Sequence, residues 1–291
     1  MRSSFERLEI HGVNTGYYGI YVQNAYFINT WKQIYIRTGG GGMLFESTST
    51  GYGNQHFENI LISLYNTNTI GVYLRNNGAN YGESTFDRLH IEGGDASGTV
   101  GVQLYGSNYN KFTYLKIEHA DTGVKIETGT NSGMNLFSGG YIRIAVIAFD
   151  FSANSRGNKV EDISVHSSTA GALVLNDASS YTNEPDIFED VIGYSTDFAA
   201  TPVVRSSSTA CLLKGTILDH KAQAGGTATI LSGQTSVTIT HDMILTPVWV
   251  TVSGSTSDTG DLWVTSIGTT TFTVNSPSVG ADRTIYWSAS V

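Results

Sequence analysis

The sequence predicts an all-β fold: a right-handed parallel β-helix of about eight rungs, followed by a small antiparallel β-sandwich. Three observations predict it. First, the pattern Phe-x-x-Leu-x-Ile recurs at Phe5-Leu8-Ile10, Trp31-Ile34-Ile36, Phe57-Ile60-Ile62, Phe86-Leu89-Ile91 and Phe112-Leu115-Ile117, with looser copies at Phe137-Gly140-Ile142, Val160-Ile163-Val165 and Phe188-Val191-Gly193. By subtraction, successive first anchors lie 26, 26, 29, 26, 25, 23 and 28 residues apart. Self-similarity at a near-fixed period marks a solenoid. Second, a motif Gly-(Ile/Val)-x-(Val/Leu/Ile) follows several copies, at Gly19-Ile20-Val22, Gly71-Val72-Leu74, Gly101-Val102-Leu104 and Gly123-Val124-Ile126. Third, both motifs alternate apolar and polar residues, the period of a strand, and no stretch of similar length has helical periodicity.

The coil is expected to span residues 1–222. Its apolar positions point inward and stack rung on rung, with Phe5, Trp31, Phe57, Phe86 and Phe112 buried in one column. Crossovers between parallel strands are right-handed with few exceptions, which sets the expected hand. Two residues before each first anchor sit Ser3, Asn29, Gln55, Ser84, Asn110, Asn135, Asn158 and Asp186. A column of amides at one corner can hydrogen-bond along the coil, as stacked Asn ladders do. The run Gly39–Gly42 reads as a flexible turn, because no helix follows to make it a phosphate cradle. The first repeat starts at residue 5 with nothing before it to cover an open edge. The expectation is that the coil continues in a longer protein.

The stretch 221–226 reads as a linker to a module at 223–291, which carries six short apolar stretches separated by turn signals, as in a sandwich or small barrel. His241 ends one of these strands and is expected to be structural.

Composition narrows the function. Charged residues make up 14% of the 291 and the formal net charge is −9, so a nucleic-acid partner, which needs a basic stripe, is excluded. Cys211 stands alone, so no internal disulfide forms. No apolar run is long enough to span a membrane as a helix, and membrane insertion is not expected. No nucleotide loop, nucleophile elbow or zinc-type spacing occurs. No cofactor is expected.

The rungs resemble the right-handed parallel β-helix of the pectate-lyase-like superfamily, and especially the trimeric tailspikes and tail fibres of bacteriophages. The resemblance covers about residues 1–220 and rests on pattern. Residues 226–291 resemble a small β module at the C-termini of phage tail proteins, whose usual histidine His241 matches. The resemblance implies a homotrimer in a virion tail or extracellular setting, with residues 223–291 as a trimerisation module at its base and a polysaccharide as partner. It implies binding, and hydrolysis or lyase cleavage, of a cell-surface or extracellular glycan. The alternatives are a non-catalytic adhesin and a purely structural stem.

If positions 0, +3 and +5 after each anchor point inward, then +4 and +6 face water. Position +4 carries His90, Lys116 and Tyr141, and position +6 carries Glu92, Glu118, Arg143, His166 and Tyr194. Glu92 and Glu118 fall on adjacent rungs, about 4.8 Å apart. That is close to the separation of about 5–5.5 Å that retaining glycosidases use. They are the candidate catalytic pair, with Glu92 as acid and Glu118 as nucleophile held anionic by Arg143. His90, Lys116, Tyr141 and Arg143 are the candidate substrate-binding residues beside them; a mutually neutralising charge ladder is the plainer reading of the same residues. Tyr73 and Tyr105, on the other strand set, offer rings for stacking on sugars, or for a subunit interface. The outward Leu44, Leu61, Leu173 and Ile192 favour a subunit interface. Glu58 with Asp87 is a second acid pair. Glu161, Asp162, Glu189 and Asp190 form a weak Ca²⁺ candidate, with hard oxygens but no spaced binding loop.

Overall fold

The Phe-x-x-Leu-x-Ile motif poses a stereochemical problem that the fold resolves in the same way in every rung. In a regular strand, positions 0 and +3 point to opposite faces. Here both turn to the inner side of the coil, because the residue at +2 takes a left-handed conformation and resets the alternation. The eight such residues are Arg7, Gln33, Asn59, Arg88, Tyr114, Gly139, Asp162 and Asp190, with φ between +51° and +68°. The computed structural model describes residues 3–24, 29–48, 54–77, 81–95, 97–127, 132–151, 154–193, 198, 203–205, 209–217, 220–221, 223–241, 243, 245–254, 261–277 and 280–291. Among them there is no helix. Two compact units form, Met1–Leu212 and Leu213–Val291.

In the first unit the anchor motifs build one parallel ladder. It runs from Ser3–Glu6 and Glu9–Val13 through Asn29–Thr38, His56–Leu64, Thr85–Glu92, Lys111–Ile126, Leu136–Phe151 and Lys159–Ser167 to Asp186–Gly193. The register pairs Phe57 with Phe86, Ile60 with Leu89 and Ile62 with Ile91, so equivalent residues of the repeat lie side by side. A second parallel ladder joins Tyr18–Gln23, Gly41–Ser47, Ile70–Asn76, Val100–Tyr105, the distal halves of the two 16-residue strands, Leu173–Asp177 and Val203–Arg205. Short two-residue ladders, Tyr81–Gly82 with Ser107–Asn108 and Ser132–Gly133 with Ser155–Arg156, mark a third wall.

The anchor rings stack as expected. Phe57, Phe86, Phe112 and Phe137 follow at centroid spacings of 4.1, 4.7 and 5.0 Å with planes within 8°. Trp31 and Phe5 continue the stack, but Phe5 is 40% exposed, which corrects the expectation that all five anchors are buried. Trp31, 4.1 Å away, stacks on one face of its ring. Each buried Phe is worth about 2–3 kcal/mol of transfer free energy.

The second motif has its own reason. A Cβ on Gly71 would sit 2.8 Å from Ile91, on Gly101 2.6 Å from Ile117, and on Gly123 2.8 Å from Ile142. The glycine column makes room for the +5 isoleucine column. Gly42 belongs to it, facing Ile62. The run at 39–42 is therefore not a flexible turn: all four glycines are buried, and Gly41 opens a strand.

The corner column is a hydrogen-bonded ladder. Asn110 Nδ2 donates to Asn135 Oδ1 (2.9 Å), Asn135 Nδ2 to Asn158 Oδ1 (2.8 Å) and Asn158 Nδ2 to Asp186 Oδ1 (2.9 Å). Backbone N–H groups of the same residues donate to the same oxygens. All four side chains are buried. The last acceptor is a carboxyl, and its Oδ2 has no hydrogen-bond partner. Burial, and then the nearby Asp177 carboxylate, push Asp186 up to about 7 against the hydrogen bonds that favour its anion.

The second unit is a sandwich of two three-stranded antiparallel sheets. One orders Gln223–Ile230, Arg283–Ser290 and Trp249–Gly254; the other orders Ser236–Thr240, Thr271–Asn275 and Trp263–Thr265. Ile230, Ile239, Met243, Phe272, Val274, Ile285 and Ala289 form its core. Gly225 and Gly226, read above as linker, lie inside an edge strand, where a Cβ on Gly226 would press on the Trp287 ring at 3.3 Å. His241 is buried, stacks on Phe272 and bonds Gly268 O through Nε2 at 3.1 Å, a structural role.

Asp186 yields a test of the ladder. An acid whose pKa is higher in the folded chain than its ordinary 3.8 binds its proton more tightly when folded. Its stabilising contribution is complete below about pH 4 and declines as pH rises toward 7. Asp186→Asn keeps the Oδ1 acceptor and removes the charge. Relative to the unmodified chain, the variant should gain about 1–3 kcal/mol between pH 4 and pH 8 in urea unfolding. A difference between the two proteins that does not change with pH would refute the account.

Candidate functional site

The outward side of the anchor ladder is built by the same register that stacks the core. Thr85–Glu92 pairs with Lys111–Ile126 so that His90 faces Lys116 and Glu92 faces Glu118. Because +4 and +6 flank an inward Ile91 or Ile117, each pair projects to solvent from a strand whose other side is fixed in the core. Three of these side chains, His90, Lys116 and Glu118, make a compact polar group. Glu118 Oε2 accepts from His90 Nε2 at 2.8 Å and lies 2.7 Å from Lys116 Nζ. Its side chain is 24% exposed. Burial opposes its anion, but the hydrogen bonds and charges of Lys116 and His90 prevail and hold the carboxyl below the usual range. Glu92 is exposed and has no side-chain partner among the described residues.

Arg143 does not do what the column projection assigns to it. The ladder loses its simple register between Ile117 and Thr122, where His119 takes φ +59°. That bulge brings His119 under Arg143: Arg143 Nη1 lies 3.3 Å from His119 Nε2, and His119 Nδ1 lies 2.7 Å from Asp95 Oδ1. Arginine only donates, so Nε2 accepts and Nδ1–H donates to Asp95. The cations at Glu118 are Lys116 and His90 instead. Tyr141 pairs in register with Lys116 and keeps its place beside the group, with its ring 6.4 Å from that of His166. Tyr194 lies outside the described residues. Sequence reasoning missed His119 and Asp95, since a bulge is not visible in repeat spacing.

Tyr73 and Tyr105 stand on the second ladder, apart from Glu92 and Glu118. Tyr73 Oη donates to Glu127 Oε2 at 2.7 Å, and burial together with that bond pushes its phenol up. Tyr105 pairs in register with Arg75, which lies 3.5 Å from Glu46; Tyr21 Oη donates to the same carboxylate at 2.8 Å. This face is a second polar surface with its own carboxylates, Glu46 and Glu127.

Of the remaining acidic candidates, Glu58, Asp87, Glu161 and Glu189 pair with basic neighbours. Lys159 Nζ bridges Glu161 and Glu189, and lies 2.9 Å from the latter. An ammonium between the carboxylates takes the place a Ca²⁺ ion would need. Among the described residues no group of three or more His, Cys, Asp or Glu side chains is arranged to hold a metal ion, and of the Ca²⁺ candidates Glu161, Asp162, Glu189 and Asp190 the two glutamates share Lys159. Glu58 is flanked by Lys32 at 3.0 Å and Arg88 at 3.1 Å, and Arg88 also reaches Asp87 at 3.1 Å. Lys32 above all holds Glu58 below the usual range, which suits an ion-pair network rather than a proton donor.

No family model matches the chain, and no curated protein matches it. Among solved structures it is similar to a tailspike double mutant of the E. coli bacteriophage HK620 in complex with a pentasaccharide. That match has 12% identity, 99% of this chain and 70% of that chain, and a TM-score of 0.33. It is also similar to a tailspike protein of the Acinetobacter baumannii bacteriophage Fri1, a capsular polysaccharide depolymerase. There the identity is 10%, over 94% of this chain and 79% of that chain, with a TM-score of 0.17.

Proposed function

We propose that the chain is a polysaccharide-binding and depolymerising protein of a virion tail, and that Glu92 and Glu118 carry a retaining hydrolysis. The observation that supports it is the pairing of an anion with an open carboxyl on adjacent strands. Glu118 is held ionised by His90 and Lys116, and Glu92 stands one strand away, exposed and without a side-chain partner among the described residues. Glu118 attacks the anomeric carbon while Glu92 gives its proton to the departing glycosidic oxygen. Water then cleaves the glycosyl ester, with Glu92 taking back a proton. Lys116, His90 and Tyr141 are placed to hold hydroxyls of the sugar beside the pair. A lyase acting next to a uronic acid is the variant, with Lys116 assisting proton abstraction.

Binding without cleavage is the second reading. The observation that favours it is the Lys116–Glu118 ion pair itself, which closes the carboxylate to a substrate until it is displaced. Incubation with bacterial polysaccharides separates the two. Glu118→Gln and Glu92→Gln should each lower the release of reducing ends by about 10²–10⁴-fold with folding unchanged. Activity that survives both substitutions would exclude this pair, and retention of glycan without any cleavage would assign the chain to the adhesin class.

The half-buried, outward Leu44, Leu61, Leu173 and Ile192 support a homotrimer, since obligate interfaces are more apolar than free surface. Light scattering at micromolar concentration should return three times the chain mass. A monomer mass would contradict this assembly.

A further inference from the structure

The outer face of one sheet in the C-terminal unit carries two large exposed rings above small residues. Its register places Gln223, Ser290 and Trp249 in one row, Gly225, Ser288 and Thr251 in the next, and Thr227, Tyr286 and Ser253 in the third. These positions alternate with the inward Ala224, Ala289 and Val250, so all nine project away from the sandwich core. None is charged. The middle row is low, a glycine beside two small hydroxyl residues, and Thr251 Oγ1 lies 2.6 Å from Ser288 Oγ. Trp249 is 72% exposed and Tyr286 is 50% exposed, so two large rings rise at opposite ends of a shallow floor. Two depressions follow from this relief. One of about 480 Å³ lies beside Trp249, Gly225 and Ser290; one of about 250 Å³ lies beside Tyr286 and Ser253. They share Thr251 and Ser288 and so form one trough.

We propose that this trough is a second saccharide-binding site, for an uncharged oligosaccharide, held by ring stacking on Trp249 and Tyr286 and by hydroxyl hydrogen bonds along the floor. Two rows of strand separate the rings, about 14 Å along the strands, the span of a short oligosaccharide. Trp and Tyr present an apolar face to the C–H side of a sugar ring and a polar edge to its hydroxyls. Thr251, Ser253, Ser288 and Ser290 can each donate and accept, which matches a ligand whose hydroxyls do the same. An anionic glycan or a nucleic acid would find no cation on these rows. A second copy of the chain is the poorer occupant, because the core of a stable subunit interface is apolar and this floor is glycine and hydroxyls. The site is independent of the Glu92–Glu118 pair and does not rest on the activity proposed for it.

The test uses the full chain and a printed array of neutral oligosaccharides, with titration calorimetry on the spots that bind. Trp249→Ala should weaken binding at those spots at least tenfold, and Tyr286→Ala several-fold. Ser288→Phe, which fills the floor and leaves both rings, should abolish it. All three positions are exposed, and an unchanged melting temperature checks that folding is intact. Glu118→Gln should leave this binding untouched, which separates it from the coil site. The proposal is overturned if no neutral oligosaccharide binds, or if binding is indifferent to Trp249→Ala and Ser288→Phe. It is also overturned if Trp249→Ala lowers the mass seen in light scattering, which would assign the face to contact between copies.

Discussion

A strand turns successive side chains to opposite faces, so an anchor and the residue three places later cannot both enter one core unless the backbone is reset between them. In this coil the reset is a single left-handed residue at +2, present in all eight rungs. For a residue with a Cβ that conformation costs about 1–2 kcal/mol. Seven of the eight are not glycine, so the coil carries this cost repeatedly. The return is geometric. With +2 reset, 0, +3 and +5 face inward together, and Phe57, Ile60 and Ile62, for example, are all at most 2% exposed. Positions +4 and +6 then share the outward face, which is why His90 and Glu92 appear side by side with Lys116 and Glu118.

Everything else in the coil is a column that this constraint aligns. Anchor rings stack at 4.1–5.0 Å through its middle because each occupies the same point of its turn. The glycine column opposite the +5 isoleucines and the buried amide ladder at the corner are locked to the same frame. A site on such a wall is held firmly, since His90, Glu92, Lys116 and Glu118 each adjoin a buried isoleucine, Ile91 or Ile117, on their own strand. Where the frame slips, at His119, the outward chemistry changes partners: Arg143 leaves the carboxylate column and joins His119 and Asp95.

The repeat, its strand character, the amide ladder and the six strands of the C-terminal sandwich were legible because each leaves a periodic or turn-bounded mark. The left-handed column was not. Its members are Arg, Gln, Asn, Arg, Tyr, Gly, Asp and Asp, of which only Asn59, Gly139 and the two aspartates belong to types that favour φ > 0. The only trace was the 3-then-2 spacing of the motif itself. The same gap explains the Arg143 assignment, since a projection by counting assumes that every rung resets alike and His119 adds a second reset. Glu92 beside Glu118 was legible because no bulge intervenes between their strands. The partners of Glu118 were half legible: His90 and Lys116 were placed beside it, but their hold on its carboxylate, and the lysine that bridges Glu161 and Glu189, depend on side-chain reach. Gly225 and Gly226 misled because glycine reads as a linker, whereas here its lack of a side chain admits Trp287.

Asn59 tests the central constraint most directly, being exposed, left-handed at φ +55° and in the middle of the anchor ladder. Urea unfolding of Asn59→Gly and Asn59→Val measures it without disturbing a buried contact. Gly accepts the conformation freely, so Asn59→Gly should lie within about 1 kcal/mol of the unmodified chain, whereas the β-branched Val should destabilise by about 2 kcal/mol or more. Equal stability of the Gly and Val variants would contradict the account.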